Sequence, residues 1–411
     1  MQKEIKDPLI EKEVERQLEV LQFGTLEITP LEDFKQMLYA SLRDKKPLRV
    51  KCGIDPTRAD IHLGHMVPFK KMRAFQDLGH LGVVIIGDYT ARIGDPTGKN
   101  ESRPALTENE VKENAQTYMQ QVYTILNPEK TEVHFQSEWF SKVNLSDVMG
   151  WMAQTTVAKL VSHDTFKKRL ETGSALGLHE FLYPVLQGVD SVYIKADVEL
   201  GGSDQKFNVL MGRDYQRHKG LRPQVAMLLP LIMGLDGKEK MSKTLNNYIG
   251  VGDSAFDMFG KIMSIPDALM ADYISYVGAF THENAHAFIQ EIKTGLVHPN
   301  EAKKKLASNI VSIYHGEVAG QEMRKQFEAV FAKGEVPEET PEIIFTRGIL
   351  LNDFLVQNGF LASKTEVQRM VQQGAVSFMD GEKINDFKRV LDDSFAGKVL
   401  KIGKRKFVRL K

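Results

Sequence analysis

Cysteine and long apolar runs are scarce in this sequence. Among 411 residues the single cysteine, Cys52, excludes an intramolecular disulfide and a cluster of cysteines around a metal ion. No run is apolar over the ~20 positions that a membrane-spanning helix needs. Residues 1–20 carry too many charges for a secretory signal. These absences favour a cytoplasmic protein that has no membrane partner.

An excess of one charge is also missing. The 54 Lys and Arg residues balance the 54 Asp and Glu residues, so the net charge is zero. A neutral total can still contain a local basic segment. Residues 398–411 contain seven Lys or Arg and no acidic residue, interleaved with apolar ones. A solvated surface is the alternative, but we interpret this tail as a contact for a nucleic-acid backbone.

The first half of the chain alternates between strand and helix patterns. Residues 48–54 predict a buried strand, which Asp55 and Pro56 end because proline cannot donate to a ladder. A helix follows from His62, and residues 81–87 form a continuous apolar run typical of a parallel strand. This order predicts an α/β fold with a doubly wound parallel sheet, whose ligands bind beyond the carboxyl ends of the strands.

Two histidines and a glycine stand at the start of the first predicted helix after a strand. His62 and His65 lie three positions apart and face the same side, and Gly64 lets a ligand approach the backbone. Free N–H groups and the helix dipole attract anions to this end. The motif alone is weak, because such histidines often serve only packing, but it fits a nucleotide phosphate site.

Polar residues also follow the next predicted strands. Residues 88–99 come after the second strand and suit a small polar ligand, and Lys99 and Arg103 could place two cations over a phosphate. A further strand at 197–200 leads into a glycine pair and Asp204, a carboxylate that could bind ribose hydroxyls. A solvated loop is the alternative for residues 88–99.

A helix between these segments carries three spaced polar residues. Tyr183, Gln187 and Asp190 lie four and three positions apart and therefore share one helical face. A hydroxyl, an amide and a carboxylate on one face can form the wall of a hydrogen-bonding pocket. An exposed polar face is the alternative that the spacing leaves open.

Two signatures far apart in the chain are more informative together than either alone. HLGH at 62–65 precedes KMSKT at 240–244, an order that resembles the class I aminoacyl-tRNA synthetases. Over essentially all 411 residues the chain resembles the bacterial tyrosyl-tRNA synthetases in particular. Besides the two signatures, the segments that carry this resemblance are IGDPTGKN (93–100), HEFLYPVLQGVDS (179–191) and ELGGSDQKFN (199–208).

The resemblance implies three domains and a homodimer. Residues 1–235 would form a Rossmann-type catalytic domain, with a dimerisation insertion near 110–165. An α-helical anticodon-binding domain would follow at 236–334. After an acidic, proline-bearing linker at 335–342, residues 343–411 look like the small α+β ribosomal protein S-four-like RNA-binding domain.

The resemblance also implies which residues meet ATP and act in catalysis. The cations would close over the departing pyrophosphate, and magnesium would arrive with ATP, with no dedicated metal site. The residues implied to bind ATP are Asp55, Thr57, His62, Gly64, His65, Gly202, Asp204 and Lys243. The residues implied to act in catalysis are His62, His65, Lys99, Arg103, Lys240, Lys243 and Thr244.

Tyrosine would occupy a neighbouring pocket. Its ammonium group would meet Asp95, Tyr183 and Gln187, and its phenol would donate to Asp190. Many family members carry tyrosine at the position of Lys51, so one of the phenol contacts is left unassigned. The residues implied to bind tyrosine are Lys51, Thr90, Asp95, Tyr183, Gln187, Asp190 and Gln205.

The implied activity is the ligation of tyrosine to its tRNA through tyrosyl-adenylate, with tyrosine, ATP, tRNA(Tyr) and a second copy of the chain as partners. Three alternatives stay open. Another HxGH nucleotidylyltransferase would lack KMSKT, and the tryptophan enzyme of the same subclass is disfavoured by Asp190. An RNA-binding protein descended from a synthetase is disfavoured by Lys240 and Lys243.

Overall fold

Two sheets organise the part of the chain described by the computed structural model, which comprises residues 7–57, 61–97, 107–333, 336, 340–403 and 406–411. The strands within it are Glu27–Thr29 (β1), Arg49–Ile54 (β2), Leu81–Ile86 (β3), Thr131–Phe135 (β4), Val198–Gly202 (β5), Val225–Leu229 (β6), Glu342–Ile343 (β7), Val376–Phe378 (β8), Val399–Ile402 (β9) and Lys406–Leu410 (β10). The first sheet has the order β1-β6-β5-β2-β3-β4 and the second β7-β10-β9-β8.

α-Helices fill most of the segments between the strands. Those in the described residues are Pro8–Gln22 (α1), Leu31–Asp44 (α2), Leu63–Asp77 (α3), Thr90–Ile93 (α4), Glu108–Val122 (α5), Ser137–Phe140 (α6), Leu145–Met152 (α7), Val157–Val161 (α8), Asp164–Glu171 (α9), Leu182–Tyr193 (α10), Lys206–His218 (α11), Ala255–Met263 (α12), Met270–Asp272 (α13), His282–Lys293 (α14), Pro299–His315 (α15), Glu317–Lys333 (α16), Leu351–Gln357 (α17) and Lys364–Gln372 (α18). Within this set, none is both long and apolar enough to cross a membrane.

The first sheet is parallel except at one edge, where β1 runs antiparallel to β6. Both of its faces are buried. On β3, Val84 and Ile86 belong to one apolar cluster, and Val83 and Ile85 belong to another on the opposite face. Side chains alternate across a strand, so the continuous apolar run is explained by helices on both sides. The predicted doubly wound α/β sheet is confirmed.

The strand order reverses between β2 and β5. From β2 the chain proceeds outward through β3 and β4, and then returns to the other side of β2 with β5 and β6. Ligands of doubly wound sheets bind in the crevice that such a reversal opens beyond the carboxyl ends of the strands. The fold therefore places the candidate site at the ends of β2 and β5.

The apolar cores separate the C-terminal part of the described chain from the residues before it. One core runs continuously from Val14 to Met323, so packing does not stop at the expected boundary after residue 235. A separate core extends from Phe345 to Leu410. Glu342, the last residue of the predicted linker 335–342, is the first residue of β7 and pairs with β10. The assignment of a function to each part stays a prediction.

Candidate active site

A cavity of about 540 Å³ opens at the strand reversal. It gathers segments that are distant in sequence: the end of β2, the start of α3, α10, the turn after β5 and the KMSKT loop. The predicted residues that line it are Lys51, Asp55, Thr57, His62, Gly64, His65, Thr90, Asp95, Tyr183, Gln187, Asp190, Gly202, Asp204, Gln205, Lys240, Lys243 and Thr244. Two further predicted residues, Lys99 and Arg103, lie outside the described residues.

A larger cavity of about 1190 Å³ lies beside the amino ends of β2 and β4, where Arg49 and Glu132 line it. None of the predicted site residues that the structure describes contributes to it. Size therefore does not identify the site here. The smaller cavity is the one that brings the sequence motifs together.

The HLGH segment forms the amino end of α3 with two neutral histidines. His62 is the N-cap residue, and its ring stacks on that of His65 with 3.7 Å between the centroids. Burial, with a smaller contribution from the charge of the nearby Lys243, lowers the pKa of His62 to about 2 and that of His65 to about 4. The His62 backbone N–H donates to Nδ1 of His65 at 3.3 Å, so the His65 ring keeps its proton on Nε2. These rings can act as hydrogen-bond donors, not as cations.

The chain after the KMSKT loop pairs with the chain before α3. The Leu63 N–H donates to the carbonyl of Ile249 at 3.0 Å, and the Val251 N–H donates to the carbonyl of Ile61 at 2.9 Å. A Cβ added to Gly64 would lie 3.1 Å from Nδ1 of His62, a buried atom with no hydrogen-bond partner among the described residues. Glycine thus leaves room at a helix end where a polar ligand atom can be bound.

The KMSKT loop is held by one buried amide. Oδ1 of Asn247 accepts from the Ser242 N–H at 2.7 Å, and its Nδ2 donates to Asp236 at 2.9 Å. Nζ of Lys240 lies 3.1 Å from Asp204, the carboxylate expected at the ribose. Asn247 is absent from the sequence-based predictions, because only the folded loop shows what its side chain contacts.

Asp55 connects the two halves of the cavity. It was expected on the nucleotide side, yet its carboxylate accepts from the Tyr183 hydroxyl at 2.8 Å and from the Thr90 hydroxyl at 2.7 Å, both expected at tyrosine. Gly87, which the sequence analysis missed, allows this contact, because a Cβ there would collide with Asp55 and Thr90. Asp95 accepts from Nε2 of Gln205 at 2.7 Å on the same side. Carboxylates thus gather where an ammonium group is expected.

Asp190 lies at the floor of the cavity and is 2% exposed. Its oxygens accept from Nε2 of Gln136 at 2.7 Å and from the indole N–H of Trp139 at 3.1 Å. Burial raises the pKa of this carboxyl to about 7, although Lys51 and both donors act in the opposite direction. Gln136 follows β4 directly, so the rule that polar residues beyond strand ends form the site would have found it. No such signal exists for Trp139.

Lys51 lines the cavity, but its ammonium is engaged by the protein. Nζ lies 2.8 Å from Glu199, and it donates to the Ser191 hydroxyl and to the backbone carbonyl of Gln187, each at 2.8 Å. The sequence analysis assigned no role to Glu199 or Ser191. Direct contact between Lys51 and tyrosine stays a prediction, and the contacts favour a supporting role.

Comparisons with known proteins agree with this geometry. Residues 43–332 match the family described as tRNA synthetases class I (W and Y). A C-terminally truncated mitochondrial tyrosyl-tRNA synthetase of Aspergillus nidulans has a similar fold, with a TM-score of 0.65 and 19% identity over 79% of this chain and 98% of that one. The Archaeoglobus fulgidus tyrosyl-tRNA synthetase complexed with L-tyrosine gives a TM-score of 0.60 and 20% identity, over 76% and 99% of the two chains. The family match, together with the fold and the cavity, places this chain in the class I aminoacyl-tRNA synthetases.

The curated relatives narrow this class. The tyrosine–tRNA ligase of Moorella thermoacetica is 47% identical over 402 residues, which are 98% of this chain and 97% of that protein. Tyrosine–tRNA ligase 2 of Vibrio cholerae is 45% identical over 397 residues, which cover 97% and 98% of the two chains. The chain therefore belongs to the tyrosine–tRNA ligase family, as the resemblance carried by the two signatures and the three further segments predicted.

Proposed function

We propose that this protein ligates tyrosine to tRNA(Tyr), by forming tyrosyl-adenylate from tyrosine and ATP and then transferring the tyrosyl group to the terminal ribose of the tRNA. The observation that carries this proposal is the joining of the HLGH helix end and the KMSKT loop over one cavity whose floor is Asp190. The family model covers enzymes for tryptophan and for tyrosine, and both the 47% identical tyrosine–tRNA ligase and the buried carboxylate favour the amino acid with a phenolic hydroxyl.

Activation requires alignment more than proton transfer. A carboxylate oxygen of tyrosine attacks the α-phosphorus of ATP, a new C–O–P linkage forms, and the bond to the β-phosphate breaks to release pyrophosphate. The nucleophile is already ionised, so no general base is needed. The neutral His62 and His65 rings and the N–H groups of α3 supply donors to phosphate oxygens.

Two lysines of the KMSKT loop supply the positive charge. Lys240 and Lys243 line the cavity beside the histidines. They would meet the negative charge that develops on the departing pyrophosphate, which lowers the barrier if the contact tightens in the transition state. Magnesium would be carried by ATP. The described residues contain no group of three or more His, Cys, Asp or Glu that could hold a metal ion.

The acidic side of the cavity suits the ammonium group of tyrosine. Asp55 and Asp95 lie there with the Tyr183 hydroxyl and the Gln187 amide. At the floor, Asp190 would accept the phenol hydrogen bond. A phenylalanine ring offers no donor, so the Asp190 carboxylate would be buried without that partner and binding would weaken.

We place tRNA contacts on the C-terminal part of the chain. Residues 343–411 have their own core, and Lys and Arg recur along their last two strands. We also propose a homodimer, because large apolar side chains are exposed between α7 and α10. They are Leu145, Met149, Val157, Leu170 and Leu178. A cytoplasmic location follows from the proposed role in protein synthesis.

An ATP–pyrophosphate exchange assay with each standard amino acid tests the activation step. We expect exchange with tyrosine and none with tryptophan. Charging of tRNA(Tyr) with labelled tyrosine then tests the transfer step. Exchange with tryptophan in place of tyrosine, or no exchange with either, would overturn the proposal.

A further inference from the structure

A buried ion pair lies behind the tyrosine pocket. Lys51 on β2 stands directly opposite Glu199 on the neighbouring parallel strand β5. Their charged atoms are 2.8 Å apart, and the side chains are 0% and 1% exposed. Removing two charges from water costs about as much free energy as their attraction returns, so a buried pair is weak evidence for stability. Its location at the strand reversal suggests a role in the site.

Both members of the ion pair make further hydrogen bonds to the protein. The Lys51 ammonium has three donors, and they face the Glu199 carboxylate, the backbone carbonyl of Gln187 and the Ser191 hydroxyl. The other oxygen of Glu199 accepts from Ser191 at 3.1 Å and from Nε2 of Gln224. Both charges are therefore fixed in position before any ligand enters.

Glu199 also contacts the side chain that faces the substrate. Nε2 of Gln187 donates to Oε1 of Glu199 at 3.1 Å. A carboxylate accepts hydrogen bonds and cannot donate them, so it selects the orientation in which the amide NH₂ points toward Glu199. The amide carbonyl oxygen of Gln187 then remains for the cavity, which is the polarity that an ammonium group requires. The reversed amide would point N–H groups at a cation.

We propose that Glu199 is a positioning residue for the amino-acid substrate, which fixes the Gln187 amide so that its carbonyl oxygen meets the ammonium group, and that Lys51 holds Glu199 in place as its counter-charge. This inference rests on the proposed function, because the ammonium group belongs to tyrosine. The charge of Lys51 also acts on Asp190, which lies at the floor of the pocket. Glu199 raises the pKa of Asp190 whereas Lys51 lowers it, and burial has the largest effect.

The test uses the full-length protein and two ligands that differ in one group. Glu199→Gln keeps the shape of the side chain but lets the Gln187 amide turn either way. The KM for L-tyrosine in ATP–pyrophosphate exchange should rise by about tenfold or more, the loss expected for a hydrogen bond to a charged group. The inhibition constant of 3-(4-hydroxyphenyl)propanoate, which has no ammonium group, should stay within about twofold of the parent value. Equal weakening of both ligands, or of neither, overturns the proposal.

A double-mutant cycle separates positioning from general damage. In a Gln187→Ala background, adding Glu199→Gln should leave the ratio of the two ligand affinities unchanged, because the side chain through which Glu199 acts is gone. A further change in that ratio would contradict the proposal. If Glu199→Gln does not fold, the affinities for the two ligands are compared in the double variant Lys51→Met with Glu199→Gln. This variant leaves no unpaired buried charge.

A matched control removes a different ion pair, one of whose members also lies on β2. Arg49 on β2 pairs with Glu132 on β4 at 2.6 Å, and this pair does not line the tyrosine pocket. Arg49→Met with Glu132→Gln should leave both ligand affinities unchanged. A parent protein without tyrosine-dependent exchange would reject the proposed function itself. A parent that exchanges, but whose Glu199→Gln variant loses both ligands alike, rejects only this inference.

Discussion

Asp190 is the residue whose surroundings differ most from those of an ordinary carboxylate. It is almost fully buried, and it is held by an amide and an indole N–H that are themselves fixed in the core. Burial disfavours its charge, while the hydrogen bonds and Lys51 favour it. The outcome is a carboxyl that changes ionisation near neutral pH, at the place where the phenol is expected.

Replacement of Asp190 should weaken the selection of tyrosine over phenylalanine. In Asp190→Ala the ratio of kcat/KM for the two amino acids should fall by about 10- to 100-fold, since a hydrogen bond to a charged group contributes about 1.5–3 kcal/mol. Steady-state exchange kinetics with both amino acids measure this ratio, and circular dichroism establishes that the variant folds. A folded variant that rejects phenylalanine as strongly as the parent would contradict the assignment of Asp190 to the phenol contact.

The raised pKa of Asp190 predicts a pH dependence of tyrosine use. The ionised carboxylate is the stronger acceptor, so kcat/KM for tyrosine should fall as the pH drops through about 7, which is the pKa of this group in the free protein. A pH profile of exchange measures the effect. Asp190→Asn, which cannot ionise, provides the control, and the same inflection in that variant would assign it to another group.

The raised pKa of Asp190 also makes the free energy of unfolding depend on pH, in the direction opposite to the dependence of kcat/KM. In the unfolded chain this carboxyl loses its proton near the ordinary aspartate pKa of 3.8, before the folded one does near 7. The free energy of unfolding should therefore decrease as the pH rises between these values. The decrease should be smaller in Asp190→Asn, which urea unfolding at several pH values can measure.

At the scale of single elements, the two signatures depend on one another. The N-terminal end of α3 supplies donors, and the loop between β6 and α12 supplies lysines. Backbone pairing of Leu63 with Ile249 and the buried Asn247 hold the two segments together. The loop is thus anchored at its base while Lys240 reaches the cavity from a half-exposed position.

The lysines of this loop should contribute to rate and not to tyrosine binding. Lys240→Ala and Lys243→Ala should each lower the rate of activation by about 10- to 1,000-fold, or about 1.4–4 kcal/mol, with nearly unchanged tyrosine affinity. Pre-steady-state adenylate formation measures both quantities. Lys238→Ala is the matched control, because Lys238 is exposed in the same loop and does not line the cavity. An equal loss of tyrosine binding would indicate a structural role.

At the scale of the whole molecule, the C-terminal part is separable because it has an apolar core of its own. The core from Phe345 to Leu410 touches the rest of the described chain through a small cluster, in which Phe407 packs on Phe256 with 6.2 Å between the ring centroids. The cavity lies entirely within the larger part. Activation and tRNA contact are therefore expected to have different structural requirements.

Deletion of residues 343–411 should separate these two steps. Tyrosyl-adenylate formation should persist, whereas charging of tRNA(Tyr) should weaken and lose part of its salt dependence, because fewer phosphates are neutralised. Exchange and charging assays over a series of salt concentrations measure both effects. Collapse of adenylate formation would indicate that the C-terminal part belongs to the catalytic fold.

The proposed homodimer can be tested on α7. Leu145 and Met149 lie one turn apart on this helix and are 74% and 64% exposed. Leu145→Glu with Met149→Glu should shift the molecular mass in light scattering from dimer to monomer, because charges would be buried at the interface. Val318→Glu, on the exposed side of α16, should not. A parent protein that is monomeric would reject the proposal.

The sequence by itself determined the architecture and about half of the residues that line the cavity. Alternation of apolar runs with helical periods predicted the parallel sheet, because both patterns are local consequences of backbone geometry. Among the polar residues just beyond predicted strands, Thr90, Asp95 and Asp204 line the cavity. This rule succeeds since the carboxyl ends of parallel strands meet at one edge.

Only the tertiary structure decided which side chains contact each other. Lys51 and Glu199 are distant in the chain, and they pair because the strand reversal places β2 beside β5 in a particular register. Trp139 reaches Asp190 from a short helix whose packing has no signal in its own sequence. Strand order and helix docking depend on long-range burial, so periodicity and spacing can indicate a buried lysine but not the carboxylate that neutralises it.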